Sequence, residues 1–428
     1  MKTLKVSENK RYLTDCDGKP FFYIGDTAWE LFHCLTKEDA DYYLKTRAQQ
    51  GFNVIQAVLL ADDGLSIPNA YGKTPLKRNQ HFEYDPLLPD VSTTEYDYWQ
   101  HVDYIVDKAS EYGLYVGMTA TWGDKINRRD HGIGPVIFNP ENAFFYGKWL
   151  GERYQSKDNI IWILGGDRSL DNDFHYQVVD AMASGLTAGD GGKFLKTFHP
   201  CGLNTSSNFV HDRDWLDFNM TQSGHLPEIN NSCYEIITRD YEKYPIKPVL
   251  DGEPCYEDHP ICFNPDNGFF DAFNVRNAMY WNAFSGACGN TYGHHSIWSF
   301  ATEPNGYFIM DWKTAINRPG ANHVRIYADF IKEYPLYCCV PDRTSSSENK
   351  HGANYIASCR CKHYALYYIP NGLTTTLNLK RLDGMVSAHY FDVRTGKHLP
   401  PFSIPESGVF TPPSSGRDND WVLILEDK

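Results

Sequence analysis

Apolar residues in this chain gather into short, nearly continuous blocks, and between the blocks they recur with a helical period. The blocks Phe21–Gly25, Phe52–Leu60, Tyr115–Thr121, Ile160–Leu164, Phe194–Phe198, Leu216–Met220, Pro248–Asp251 and Gly289–Tyr292 read as strands. The fourth, IIWIL, has the length and β-branched content of a strand buried on both faces. The intervening stretches Lys37–Gln50, Glu95–Tyr112, the segment opening at Asn139-Pro140, Phe174–Ala188, Tyr234–Tyr244, Phe269–Ser285 and Asn322–Glu333 read as helices. For the first of these, Thr36 is a candidate N-cap and Gly51 a stop. Repeated βαβ units imply a parallel sheet. Eight of them favour an α/β fold of the closed (β/α)8 TIM-barrel type over an open doubly wound sheet, and no GxGxxG follows the first strand to argue otherwise.

Ahead of the first strand, LKVSENKRYLTDCDGKPFFYIG reads as a hairpin turning at Asp17-Gly18. A long polar insertion at 64–93, holding Tyr71 and Tyr84, reads as a functional loop or lid. Beyond about Leu336 the pattern changes to short β-rich runs, Tyr355–Cys361, Tyr364–Ile369, Thr374–Leu379, Val386–Asp392 and Trp421–Glu426, with no helical period between them. The expected division is a barrel with its N-terminal hairpin over 1–335 and a small all-β sandwich over 336–428.

Charge narrows the partners. Forty basic against 54 acidic residues give a net charge of −14, which disfavours nucleic acid and anionic membranes. The 29 Tyr, 24 Phe and 10 Trp suit a carbohydrate partner, because rings stack on the apolar faces of sugars, although a large core also absorbs them. No apolar run is long enough for a membrane span, and MKTLKVSENKRYL lacks the apolar heart of a signal peptide. The expectation is a cytoplasmic protein, or one whose leader has been removed. The 11 cysteines include no CxxC pair; Cys338-Cys339 is vicinal and Cys359-Arg-Cys361 has one residue between. His199-Pro-Cys201 and His259 with Cys262 lack a second half at zinc spacing, so free thiols and no metal or other cofactor are expected.

In a barrel the residues just past each strand crowd one face. Here they are Asp26, Trp29, Asp62, Trp122, Asp124, Asp167, His199, Gln222, His225, Glu253, His294, His295 and Trp298. Glycoside hydrolysis needs such a set: two carboxylates flanking the bond, aromatic platforms and polar groups for hydroxyls. Asp167, after the fourth strand and the glycines Gly165-Gly166, and Glu253, after the seventh, are the best pair, since those strands lie across the barrel mouth from each other. Asp26, Trp29, Asp62, Trp122, Gln222, His225, His294 and Trp298 are candidate sugar contacts. A metal at His294-His295 lacks partners at ligand spacing.

Five segments, GDTAW (Gly25–Trp29), VIQAVLLAD (Val54–Asp62), IIWILGGD (Ile160–Asp167), LDGEPCYE (Leu250–Glu257) and TYGHHSIW (Thr291–Trp298), resemble the apiosidase-like glycoside hydrolases, family 140 and its relatives. The trailing β-region resembles the module that usually follows this barrel, often labelled a collagen-binding domain. The resemblance implies that Asp167 is the acid/base and Glu253 the nucleophile, with Gly166-Asp167 replacing the Asn-Glu of the wider clan. An acid at Asp167 requires a raised pKa, from apolar walls and the Glu253 charge. A carboxylate separation of about 5–5.5 Å would mean retention of configuration and about 6.5–9.5 Å inversion. The expected activity is a retaining glycosidase that releases a terminal sugar from a plant-type glycan. An endo-acting, cellulase-like glycanase and a non-catalytic glycan-binding barrel are the competing readings. Both carboxylates being present argues against the last.

Overall fold

The computed structural model describes residues 1–61, 65–129, 132–226, 233–346, 351–382 and 384–427. Its centre is a nearly closed, barrel-like sheet of nine strands. Eight are parallel: β1 (Tyr23–Thr27), β2 (Val54–Val58), β3 (Tyr115–Thr119), β4 (Ile160–Gly165), β5 (Lys196–His199), β6 (Asn219–Gln222), β7 (Val249–Asp251) and β8 (Gly289–Tyr292). Their order runs β5-β4-β3-β2-β1-β8-β7-β6, so every neighbour but one is joined by a parallel ladder. The exception is the seam between β5 and β6. There the short strand Asn204–Thr205 pairs antiparallel with Gln222 and Thr221, taking the edge of β6 that β5 would need. The seam is bridged below that point by Asp217 N–H to Lys196 O at 2.9 Å and by the Thr197 hydroxyl to Phe218 O at 2.7 Å. This also shifts the sixth strand from the expected Leu216–Met220 to Asn219–Gln222.

Every residue of β1 through β4 is buried, as expected for strands covered on both faces. Inside the sheet, Tyr23, Val54, Ile161, Ile163, Phe218, Met220 and Leu250 form one cluster, which Leu4 and Leu13 join from the N-terminal sheet. That sheet pairs Leu4–Val6, Leu13–Asp15 and Pro20–Phe21 around the expected Asp17-Gly18 turn. Gln56 spans the interior, accepting from Tyr23 Oη at 3.0 Å and donating to Gly252 O at 2.9 Å. Around the sheet run α1 (Lys37–Gln49), α2 (Tyr98–Glu111), α3 (Pro140–Tyr154), α4 (Asp173–Asp190), α5 (Cys233–Glu242), α6 (Ala272–Phe284) and α7 (Pro319–Glu333). Thr36 caps α1, while Asp97 and Asn139 close capping boxes on α2 and α3, satisfying backbone N–H groups that the first helical turn leaves unpaired. In the polar insertion, Leu76–Arg78 pairs with Tyr84–Pro89 as an antiparallel ribbon. No described helix is long and apolar enough to cross a membrane.

The C-terminal region is all-β and is built on one main antiparallel sheet, with β9 (Ala357–Arg360), β10 (Tyr364–Ile369), β12 (Trp421–Glu426) and β11 (Ser387–Asp392) side by side in that order. One face, through Leu366, Tyr368, Val422 and Ile424, shares a core with Trp281 of α6 and Tyr327 and Phe330 of α7. The other face packs on Leu377, Leu382 and Phe410, which lie on and around a two-stranded sheet, Thr375–Thr376 with Val409–Phe410. The second layer of the expected sandwich is therefore small, and the barrel helices cover the remaining apolar face. Arg276 of α6 holds Asp420 with Nε at 2.8 Å and Nη2 at 2.6 Å, all of it buried.

Candidate active site

The end of β4 is bent by its backbone. Gly165, Gly166 and Asp167 all have positive φ, +86°, +113° and +56°. Two glycines adopt this conformation without strain, whereas Asp167 is an L-residue in the left-handed region. Neighbouring strand ends pin the turn: Gly166 N–H donates to His199 O at 3.0 Å and Gly123 N–H to Gly166 O at 2.9 Å. A Cβ at Gly166 would stand 2.8 Å from Gly123 N, so the close approach also requires glycine. The turn carries Asp167 into a pocket of about 230 Å³ at the C-terminal ends of the strands. Its own N–H donates to His199 Nδ1 at 3.3 Å, and Arg168 Nη1 donates to its carbonyl at 2.7 Å and to Oδ2 at 2.8 Å.

Glu253 faces the same pocket from beyond β7. Its carbonyl accepts from Gly224 N–H at 3.0 Å, and Gly252 before it is held by Thr221 O at 2.8 Å and by Gln56. The carboxylate is almost fully buried between two imidazoles, with His225 Nε2 at 3.1 Å from Oε1 and His199 Nε2 at 3.0 Å from Oε2. His199 lies between the two residues, its Nδ1 accepting from the Asp167 N–H and its Nε2 facing the Glu253 carboxylate. One histidine thus ties the backbone of the first carboxylate to the side chain of the second.

The two carboxyl groups are pushed in opposite directions. Burial and then the nearby Glu253 charge raise the pKa of Asp167, and together they outweigh Arg168 and His199, which lower it. Burial would also raise Glu253, but hydrogen bonding and charge from His199 and His225 hold it well below the usual carboxylate range. His259 stacks on His225 at 4.1 Å and donates from Nδ1 to Pro260 O at 2.7 Å. Burial and the His225 charge push the His259 pKa down to about 2, so its ring stays neutral. Such a divergent pair is the mark of one acid and one ionised base or nucleophile.

Of the residues singled out in the sequence, Trp29, Trp122, Asp167, Gln222, His225, Glu253 and Trp298 line this pocket. Trp29 and Trp122 meet at 5.2 Å, and Trp29 Nε1 donates to Tyr256 Oη at 3.2 Å, which fixes the polar edge of the Trp29 ring. Asp26 does not reach the pocket. Its carboxylate is fully buried against Tyr43 Oη and Arg47 Nε, the latter at 2.6 Å. His294 is likewise withdrawn, its Nε2 on Asp258 Oδ2 at 3.0 Å and its Nδ1 accepting from Ser296 N–H. Asp62 lies outside the described residues. Glu30, Tyr256, His259, Phe263 and Tyr307 join the lining without having been singled out for it. Glu30 directly follows the first matching segment, which ends at Trp29, and Tyr256 lies within the Glu253 one, so adjacency was the signal available; Phe263 and Tyr307 carry no pattern to mark them. No metal-ligating cluster forms here among the described residues.

A larger cavity, about 650 Å³, lies elsewhere, among the N-terminal sheet, α7 and the segment after it. Its lining contains no carboxylate, so the smaller pocket is the one equipped for glycosidic chemistry. Residues 7–337 match the family described as the apiosidase-like catalytic domain, and 340–426 match a collagen-binding-type domain of a collagenase. The chain is similar to a glycoside hydrolase family 5 structure from Bacteroides vulgatus, at 31% identity and TM-score 0.89 over 99% of this chain and 94% of that one. A second structure, named a glycoside hydrolase, is similar at 31% identity and TM-score 0.89, with 100% and 97% of the two chains covered. A family 39 glycoside hydrolase from Bacteroides cellulosilyticus shares the fold at 11% identity and TM-score 0.55, over 94% and 80%. No curated protein matches the chain.

Proposed function

The chain belongs to the apiosidase-like glycoside hydrolases, and from that premise we propose a retaining, exo-acting glycosidase that removes a terminal sugar from a plant-type glycan. The catalytic unit is read as a (β/α)8 barrel over 1–335, with an accessory β-domain over 336–428. The observation that carries the reading is the divergent carboxyl pair, Asp167 raised and Glu253 lowered, on one aromatic-walled pocket. Glu253 attacks the anomeric carbon while Asp167 passes its proton to the departing glycosidic oxygen. Water then displaces Glu253 from the glycosyl-enzyme, and Asp167 takes the water's proton back. Trp29, Trp122 and Trp298 offer ring faces to the sugar, while Gln222 and Tyr256 offer polar groups. The volume, about 230 Å³, falls below the roughly 300–1,000 Å³ of pockets for larger ligands, which supports a single terminal ring over an internal chain segment.

Aryl glycosides of different sugars, read by phenol release and by NMR of the first anomer formed, test the proposal. One sugar turned over with retention is expected. Inversion would remove Glu253 as nucleophile, and sugar binding without turnover would favour a non-catalytic barrel. Asp167→Asn is expected to slow substrates with poor leaving groups far more than activated aryl glycosides, whereas equal losses would remove the acid role.

A further inference from the structure

Where the chain leaves α7 for the β-domain, two cysteine pairs about twenty residues apart in sequence are drawn together by strand register. Val340 pairs with Arg360 and Pro341 with Cys359 in an antiparallel ladder. Continued by one residue, that register sets Cys339 opposite Cys361, and directly opposed positions have Cβ atoms about 4.5–5.5 Å apart. The vicinal Cys338 adds a third sulfur. The Sγ atoms of Cys338, Cys339 and Cys361 all lie within 4.8 Å of one another. No disulfide joins them. Cys359, two residues before Cys361, is buried beside Cys339.

We propose that Cys338, Cys339 and Cys361 form a three-thiolate site for a thiophilic d10 cation such as Zn(II), at the junction of barrel and β-domain. Three soft sulfurs converging on one point select that class of ion, and the oxygens beside them, Tyr364 Oη and Pro335 O, are a neutral hydroxyl and a carbonyl. Metal–sulfur bonds of about 2.3 Å at tetrahedral angles place sulfurs within the spacing seen here. The site has an approach: Cys338 is exposed, and Cys338 and Cys339 line the 650 Å³ cavity. It has support as well. Pro335 O accepts from Tyr364 Oη at 2.7 Å and from Cys338 Sγ at 3.0 Å, which fixes the linker against the sheet before any ion binds. On binding, each thiol gives up its proton to solvent and the ion gains three sulfur bonds. The ion would staple the linker to β9, remote from the glycosidic pocket.

The test is a Cd(II) titration of the full chain, freshly reduced and anaerobic, read by the thiolate-to-cadmium charge-transfer band. One equivalent of Cd(II) per chain is expected, taken up also by the Zn(II)-loaded chain because thiolates favour the softer ion, together with a rise in Tm when Zn(II) is added to the metal-free chain. Cys361→Ser should abolish the band, whereas Cys16→Ser, at a distant exposed thiol, should leave it intact. No band, or a band that survives in Cys361→Ser, would overturn the site. So would loss of two titratable thiols and two hydrogens of mass on oxidation in the presence of Zn(II), which would mark a redox pair instead.

Discussion

His199 touches both residues of the pair, the Asp167 backbone N–H and the Glu253 carboxylate, so its removal should be read in the pH profile before the rate. Glu253 is depressed in the fold, so it stays ionised to pH values below the ordinary glutamate range, and under the proposed mechanism activity should persist there. Its contribution to stability is present above its unfolded pKa and is lost as pH falls through the folded one. Asp167 is raised, so it keeps its proton above the ordinary aspartate range, and ionising it costs stability as pH rises through that raised value. His199→Ala should therefore move the acidic limb of kcat/KM upward, with a similar shift in His225→Ala; an unmoved acidic limb in both would remove the histidines as the cause. The two carboxylates that share the pocket, Asp167 and Glu253, were legible because strand-end position and residue type coincide. Asp26 was not, since one strand places consecutive side chains on opposite sides and the sequence does not say which side holds Arg47. Asp26→Ala leaves a fully buried guanidinium without its carboxylate, and should cost about 3–5 kcal/mol in denaturant unfolding. A sugar-binding role would instead raise KM at nearly unchanged stability.

At the scale of elements, local signals placed most helices correctly: Thr36 caps α1 as expected, and Gly51, at φ +94°, follows its end. Strand limits moved by a few residues, because the ladder with neighbours decides where a strand begins and hydrophobicity does not. The packing of α3 on α4 is a feature the hydrophobic period did not convey. Gly147 and Gly151 on one helix meet Gly185 and Gly189 on the other, and a Cβ on Gly147 or Gly151 would stand 2.5 Å from the carbonyl of Met182 or Leu186. An i, i+4 pair of glycines lies along one helix face, and facing pairs let two backbones touch. A methyl at Gly185 would land on Phe144 O. Gly185→Ala should thus destabilise by about 1–3 kcal/mol, the cost of overpacking, although alanine favours helix over glycine. A rise in Tm would show that the helices can part without loss.

For the whole molecule, the sequence separated a barrel-like part from a β-rich part expected to pack on it away from the active site, but did not say which elements meet. The runs Tyr364–Ile369 and Trp421–Glu426 are apolar on both faces, which signals burial on both sides without naming the cover. The cover is α6 and α7 on one side, so the β-region sits against the barrel's flank, and no described residue beyond Tyr307 lines the glycosidic pocket. Arg276 is the polar centre of that contact, reaching Asp420 and, at 2.6 Å, Asp418, while Tyr368 Oη donates to Asp420 at 2.9 Å. Removing one partner of a buried pair leaves the other uncompensated, at about 3–5 kcal/mol. Because that loss falls on the interface and not on the pocket carboxyls Asp167 and Glu253, Arg276→Ala should separate stability from activity. Calorimetry should show one unfolding transition in the parent protein and two in the variant, the β-region melting first, with kcat/KM at 25 °C preserved. A single transition, lowered as a whole, would mean that barrel and β-region fold as one unit whose cohesion does not depend on this pair.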